Sequence, residues 1–183
     1  MNDPLAKHVL EDALRQFRQL KAQADKARAQ VDDQQLFTII DPASNSLAVI
    51  MKHLSGNLRS RWTDFLTSDG EKPNRQRDTE FEMDDATTRQ MLLEWWEEGW
   101  KCLFEALAPL QPEDLRREVM IRGEAQTVVI AINRQLTHYA AHIGQIVFLA
   151  RHLKSSDWQT LSVPRGQSAK FNRAMLDKLK TQG

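Results

Sequence analysis

The residues VIAINRQLTHYAAHIGQIVFLARHL, numbered 129–153, decide the fold class. Apolar side chains recur there every three or four positions, the spacing that places them on one face of an α-helix. The stretch predicts a long helix from about Val129 to Leu153, which must bury that face against other elements. The predicted core positions are Ile132, Leu136, Tyr139, Ile143, Ile146 and Leu149 or Ala150.

Three further stretches have the same periodicity. Ser44 or Asn45 is the predicted N-cap of the second helix, because short polar side chains there accept hydrogen bonds from free backbone N–H groups. Pro109 ends the third helix. The predicted helices run from about Pro4 to Ala29, from the residues after Pro42 to about Gly70, and from about Asp85 to Ala108.

Four helices with mostly short connections predict an all-α fold, an antiparallel four-helix bundle. The polar residues 71–85 are interpreted as a surface loop. Residues 117–128 predict a short β-hairpin around Gly123, before the fourth helix. The tail, residues 154–183, is predicted to be irregular, with one short helix that Ser168 could cap. We expect the tail to pack on a single domain formed by residues 1–183.

Composition excludes several function classes. The chain has 25 Lys and Arg and 25 Asp and Glu, so it lacks the basic excess of a nucleic-acid or anionic-membrane binder. It has neither an apolar run of about 18 residues nor a glycine-rich phosphate loop. The first residues lack the apolar core of a signal peptide, and the one cysteine, Cys102, fits a reducing compartment. We expect a cytoplasmic protein, with Cys102 buried and Trp62, Trp95, Trp96 and Trp100 in the core or an interface.

Three histidines predict a metal site. His138 and His142 are four residues apart, which places them on one helix face about 6 Å apart along the axis. His53 lies beside the apolar stripe of the second helix, and metal sites in bundles are built from inward side chains on facing helices. These three ligands would leave a coordination position open for water or substrate. The alternative is three hydrogen-bonded histidines without metal; His8 and His152 are expected at the surface.

The residues around these histidines resemble a known family. The segments 51–62 (MKHLSGNLRSRW), 63–81, 134–145 (RQLTHYAAHIGQ) and 158–168 resemble the DinB-like superfamily, and in particular a bacterial subfamily of unassigned role. The resemblance implies an up-down-down-up four-helix bundle, a metal bound by His53, His138 and His142, and a homodimer. Relatives include bacillithiol S-transferases and mycothiol-dependent maleylpyruvate isomerase, which implies a low-molecular-weight thiol as cofactor. Imidazole suits Zn²⁺, Ni²⁺, Fe²⁺ and Cu²⁺, of which we expect zinc or nickel.

Four polar residues are candidates to line the ligand pocket. Asn57 and Arg61 follow His53 by one and two helical turns, whereas Arg134 and Gln145 flank the histidine pair. We expect some of these four side chains to line the pocket and orient a ligand or water. The alternatives are surface ion pairs for the arginines and local hydrogen bonds for Asn57 and Gln145.

The sequence leaves three functions open. The first is a metal-dependent enzyme, a transferase that uses a thiol or a hydrolase that uses activated water, with a small molecule as its partner. The second is a noncatalytic metal- or small-ligand-binding bundle with a stress-related role. The third is a bundle whose surface serves protein association, with the metal in a structural role. Tyr139 stands where the H-E-x-x-H protease motif has its glutamate, which argues against that class.

Overall fold

A computed structural model describes residues 3–180 of the chain, except for the side chain of Leu179. Long helices form because apolar residues at helical spacing bury one face each. The helices are α1 (Pro4–Arg28), α2 (Asp33–Phe37), α3 (Leu47–Trp62), α4 (Arg89–Leu107), α5 (Val128–Lys154) and α6 (Ser168–Lys180), and the strands are β1 (Glu118–Ile121) and β2 (Glu124–Thr127). Short 3₁₀ turns occur at Asp78–Phe81, Pro112–Arg116 and Ser155–Asp157.

The four long helices form the predicted all-α bundle. Helix α3 packs mainly against α4, α1 packs mainly against α5, and α3 also contacts α5. The core residues named for α5 are buried, apart from Leu136, which is half-buried. Three of the four tryptophans named above are buried and Trp95 is half-buried. Within residues 3–180, no helix is long and apolar enough to cross a membrane.

Two helix starts differ from the predictions. Helix α3 is capped by Ser46, whose Oγ accepts a hydrogen bond from Val49 N at 3.2 Å, and not by Ser44 or Asn45. Helix α4 begins at Arg89 instead of Asp85, because Thr88 provides its N-cap. The sequence prediction also missed α2, which a capping box between Asp32 and Gln35 initiates.

Helix α3 ends at Trp62, well before the predicted Gly70. The chain turns at Asp64, which has a φ of 48°, and buries Phe65 in the core. It then runs back so that the Gly70 carbonyl accepts a hydrogen bond from Ser60 Oγ at 2.9 Å. The apolar periodicity continued through Phe65, but this tertiary contact ends the helix first.

The predicted hairpin is present and antiparallel, with Glu118 opposite Thr127. Arg122 and Gly123 both have positive φ, 57° and 75°, as a type I′ turn requires. The carboxylate of Asp69 accepts hydrogen bonds from the backbone N–H groups of Arg122 and Gly123 at 2.8 and 2.7 Å. A distant residue therefore stabilises a turn whose own sequence is a weak hairpin signal.

Two other predictions were wrong: residues 71–85 are not wholly a surface loop, and Cys102 is not fully buried. Residues 71–85 lie partly inside the molecule, because Arg75 and Glu80 have side chains that are 5% and 9% exposed. Cys102 is half-buried, with its Sγ 3.3 Å from Thr63 Oγ1.

The tail contains an ordered helix. Trp158 and Leu161 pack against the core, whereas the side chains of residues 168–178 in α6 are exposed. Helix α6 begins at Ser168, where a short helix was predicted. The stripe expected for that helix includes Leu179, whose side chain lies outside the described part of the chain, as do residues 181–183.

Candidate metal centre

The fold brings His53, His138 and His142 together between α3 and α5. One ring nitrogen from each lies within 4.8 Å of the others, and this is the one such cluster of metal-ligating side chains among residues 3–180. The His138 and His142 ring centroids are 4.7 Å apart, and those of His53 and His142 are 5.0 Å apart. Nitrogens around one tetrahedral zinc stand about 3.4 Å apart, so the cluster is close to the size that one ion needs.

His53 is held by a buried carboxylate. Its Nδ1 lies 2.9 Å from Oε2 of Glu80, in the 3₁₀ turn Asp78–Phe81, and its ring stacks on Phe81 with ring centroids 4.6 Å apart. Arg75 donates two hydrogen bonds to Glu80, of 2.7 and 2.8 Å, in the planar fork geometry that fixes a carboxylate. His53 itself is 3% exposed.

Glu80 also fixes the tautomer of His53. Burial alone would raise the pKa of Glu80, but the hydrogen bonds from Arg75 and His53 outweigh it and hold that pKa below its usual value. The carboxylate is therefore ionised and can only accept, so the proton of His53 lies on Nδ1. The Nε2 lone pair remains available for a metal, as in carboxylate–histidine–zinc arrangements.

The two histidines on α5 are less enclosed. His142 Nδ1 donates to Oε1 of Gln145 at 2.9 Å, an exposed contact one turn along the helix. Burial lowers the pKa of His142, partly opposed by that hydrogen bond. For His138, burial and the neighbouring His142 and His53 lower the pKa to about 3. Both imidazoles are therefore neutral near pH 7, which is the state that ligates a metal.

A buried hydrogen-bond chain orients Asn57 beside the histidines. Trp62 Nε1 donates to Tyr139 Oη at 3.1 Å, and Tyr139 Oη donates to Asn57 Oδ1 at 3.1 Å. Burial raises the pKa of Tyr139, which keeps the phenol protonated and able to donate. Because the Asn57 oxygen is already used, its amide N–H groups are the part that can serve a ligand.

The histidines open into a cavity of about 670 Å³. Of the four predicted pocket residues, Asn57, Arg61 and Arg134 line it, whereas Gln145 does not and contacts His142 instead. Arg61 is 6% exposed, and its guanidinium binds Glu71 Oε2 at 2.9 Å and the Gly70 carbonyl. The remaining lining residues are His53, Arg75, Arg77, Phe81, Arg122, Gln135, His138 and His142.

Two buried polar atoms in this lining have no partner among the described residues. They are Nε of Arg61 and Oε1 of Gln135, one donor and one acceptor. Both residues also border a small space of about 10 Å³ next to the hairpin, roughly the size of one water-sized sphere. Buried groups of this kind nearly always bind something, so the wall has hydrogen-bonding capacity left for water or a ligand.

A second cavity, of about 730 Å³, lies on another side of α3. Lys52, Gly56, Arg59 and Trp95 are among its lining residues, and Arg75 and Glu80 form part of its wall. It contains none of the three histidines. The cavity at the histidine cluster is therefore the candidate site.

Sequence reasoning missed Glu80, Arg75 and Phe81. All three come from the polar stretch that was interpreted as surface loop, and their role depends on how that stretch folds back onto α3. The sequence contained one hint of this role: an arginine and a glutamate five residues apart. Such pairs are also common in exposed loops with few apolar residues, so the hint was weak.

The fold and the histidine cluster define a helical bundle with a candidate three-histidine metal site. A family model described as "Protein of unknown function (DUF1572)" matches residues 4–167. The chain belongs to this family, which is one of the DinB-like families. No curated protein matches the chain.

Proposed function

We propose that the protein binds one divalent metal ion, zinc or nickel, through His53, His138 and His142, and that a small molecule, such as a low-molecular-weight thiol, binds beside it. The observation that carries this proposal is the cluster itself: three ring nitrogens within 4.8 Å of one another, open to a cavity of about 670 Å³. Three protein ligands with an adjacent space are typical of catalytic sites.

The residues present fit a metal. The lowered pKa values of His138 and His142 keep these imidazoles neutral, and the hydrogen bonds that Nδ1 donates on His53 and His142 leave Nε2 free. Glu80 provides the outer carboxylate that commonly orients a metal-binding histidine. A purely structural histidine cluster has no need of three converging ring nitrogens.

The proposed reaction is transfer of a thiol to an electrophilic carbon. A divalent ion held by His53, His138 and His142 would lower the pKa of a bound thiol, whose proton would pass to solvent; the sulfur would then form a bond to carbon as the leaving group departs with its electron pair. Within this scheme, the Asn57 amide N–H groups and Arg61 hold the ligand, and the buried Tyr139 keeps Asn57 in place.

A noncatalytic ligand-binding bundle with a stress-related role is the second candidate. The exposed Arg134 and half-buried His138 and His142 favour it, because they leave one side of the cavity open to water. Closure against water is what acyl- and alkyl-transfer sites usually need.

Cobalt substitution separates these two functions. Co²⁺-loaded protein should show a visible d–d spectrum that changes when 2-mercaptoethanol or cysteine is added, with no change on adding serine. His53→Ala should lack the spectrum, whereas His152→Ala, which removes an exposed histidine on α5, should keep it. A thiol-insensitive spectrum would contradict the thiol-binding proposal, and a thiol-sensitive spectrum without turnover of epoxide or haloarene electrophiles would support the noncatalytic candidate.

A further inference from the structure

We propose that the small molecule bound at this centre carries a carboxylate or phosphate group, which the arginines of the cavity wall bind while the rest of the molecule faces the histidines. This inference rests on the proposed function and specifies the class of ligand. The net charge of the chain is zero, but the charged side chains are not evenly distributed.

Five guanidinium groups line the cavity, from Arg61, Arg75, Arg77, Arg122 and Arg134. Among the described residues that line it, none carries a carboxylate. Although the chain has 25 basic and 25 acidic residues, five of its arginines thus lie around one concave surface. Charges of one sign around a cleft with low-dielectric walls raise the local concentration of the opposite ion.

Nearby acids neutralise only part of this charge. Glu71 binds Arg61 at 2.9 Å and Arg122 at 3.1 Å, and it contacts Arg75 at 3.3 Å. Glu80 binds Arg75 alone among these arginines. A third carboxylate, Asp69, accepts a hydrogen bond from Arg122 N and interacts electrostatically with Arg61, so three arginines face three acids here and the excess positive charge comes from the other two arginines.

The other two arginines have weaker partners or none. Arg77 lies 3.6 Å from Asp78, whose side chain is 97% exposed, and its guanidinium stands 5.1 Å from the centre of the Phe81 ring. Such an exposed pair is strongly screened by water. Arg134 is exposed, and within the part of the chain that the structure describes its guanidinium forms no hydrogen bond or ion pair, although its backbone carbonyl accepts one from Thr137 Oγ1.

Arg134 is the residue that structure alone does not explain. It lies one helical turn before His138 on α5, so its guanidinium lines the same cavity as the imidazole. Arg61 and Arg75 pair with carboxylates, whereas the guanidinium of Arg134 lines the cavity without a partner among the described residues. An unpaired arginine fork beside a second weakly paired arginine, Arg77, matches the geometry of carboxylate and phosphate groups.

The test measures binding of simple anions to the zinc-loaded protein by calorimetry. Inorganic phosphate and succinate are the two anionic probes, and succinamide is the uncharged counterpart of succinate. The variant is Arg134→Glu, and the matched control is Arg151→Glu, which changes an exposed arginine on the same helix that lies outside the cavity. A parallel titration of chelator-treated, metal-free protein separates binding by the arginines from binding by the metal.

We expect wild type and Arg151→Glu to bind phosphate or succinate and not succinamide. Arg134→Glu should bind the same anion at least about tenfold more weakly, because it loses a charge-assisted hydrogen bond. Metal content should be equal in all three proteins. Preference for phosphate over succinate, or the reverse, identifies which anion the site takes. Three results would overturn the inference. They are that neither anion binds, that Arg134→Glu binds the anion as tightly as wild type, or that removal of the metal by itself abolishes anion binding. Loss of zinc from wild type would instead contradict the proposed function.

Discussion

The candidate centre has two halves that are built differently. On α3, His53 is buried, stacked on Phe81 and bonded to Glu80, which Arg75 holds in turn. On α5, His138 and His142 are half-buried. Among residues 3–180, the one side chain that forms a hydrogen bond with either ring is the exposed Gln145, which contacts His142. The difference indicates that the α3 half is preorganised, whereas the α5 half is positioned mainly by the helix backbone.

The largest effect is expected from weakening the preorganised half. Glu80→Gln keeps the size of the side chain but removes the charge that fixes His53 and partners Arg75. Metal affinity should fall by roughly 10- to 100-fold, the usual cost of losing an outer carboxylate. Competition with a chromogenic chelator measures it. The matched control is Glu82→Gln, which neutralises an exposed carboxylate two residues further on and should leave affinity unchanged; equal losses in both variants would contradict the assigned role of Glu80.

A smaller loss should follow from crowding Glu80 without altering it. A Cβ added at Gly56 would stand 2.3 Å from Glu80 Oε1, so Gly56→Ala must displace the carboxylate from its place beside His53. We expect metal affinity to fall by about three- to tenfold, less than the removal of an outer carboxylate costs, because the side chain can shift.

Gly144→Ala is the control for that substitution, because a Cβ at this α5 position meets nothing within 4 Å. It should leave affinity unchanged and raise the melting temperature, since alanine favours a helix by up to about 1 kcal/mol. Unchanged metal affinity in Gly56→Ala would show that His53 does not depend on the position of Glu80.

Acidification tests the α5 half. His138 has a pKa of about 3 in the folded chain against 6.5 when unperturbed, so the unfolded chain binds more protons between these values. Stability of the metal-free protein should therefore be complete above pH 6.5 and decrease as pH falls, by about 1 kcal/mol from pH 6.5 to 5.5. Urea unfolding at several pH values measures this slope. His138→Gln should have a shallower slope, and an identical slope would contradict the burial of a neutral His138.

The smallest effect concerns Gln145. Its hydrogen bond to His142 is exposed, and such bonds contribute about 0.5 kcal/mol. Gln145→Ala should therefore weaken metal binding only about twofold, and Asn133→Ala, an exposed amide on the same helix, should not weaken it. A loss as large as that of Glu80→Gln would remove the distinction between the two halves.

The same division explains what could be predicted from the sequence. The helices and the pair His138 and His142 follow from local spacing, and so does the inward placement of His53. The end of α3 at Trp62 could not be predicted, because it depends on Phe65 entering the core and on Gly70 N donating a hydrogen bond to the distant Met120 carbonyl.

The contribution of Glu80 was hidden for the same reason. It requires the loop to fold back over Gly56, where the absence of a side chain leaves room for the carboxylate. Arg61 and Asn57 were candidates for the cavity because of helical spacing, and both line it, whereas Gln145, another of the four candidates, contacts His142 instead. Local periodicity thus predicts which side chains share a helix face, but not which loop covers them.

The central claim is tested most directly by the metal content of purified, untagged protein after dialysis against zinc or nickel. Wild type and His152→Ala should each retain one ion per chain, and His53→Ala, His138→Ala and His142→Ala should each retain far less while keeping the helical circular dichroism spectrum. Wild type without stoichiometric metal, or three variants that retain as much as His152→Ala, would contradict the account.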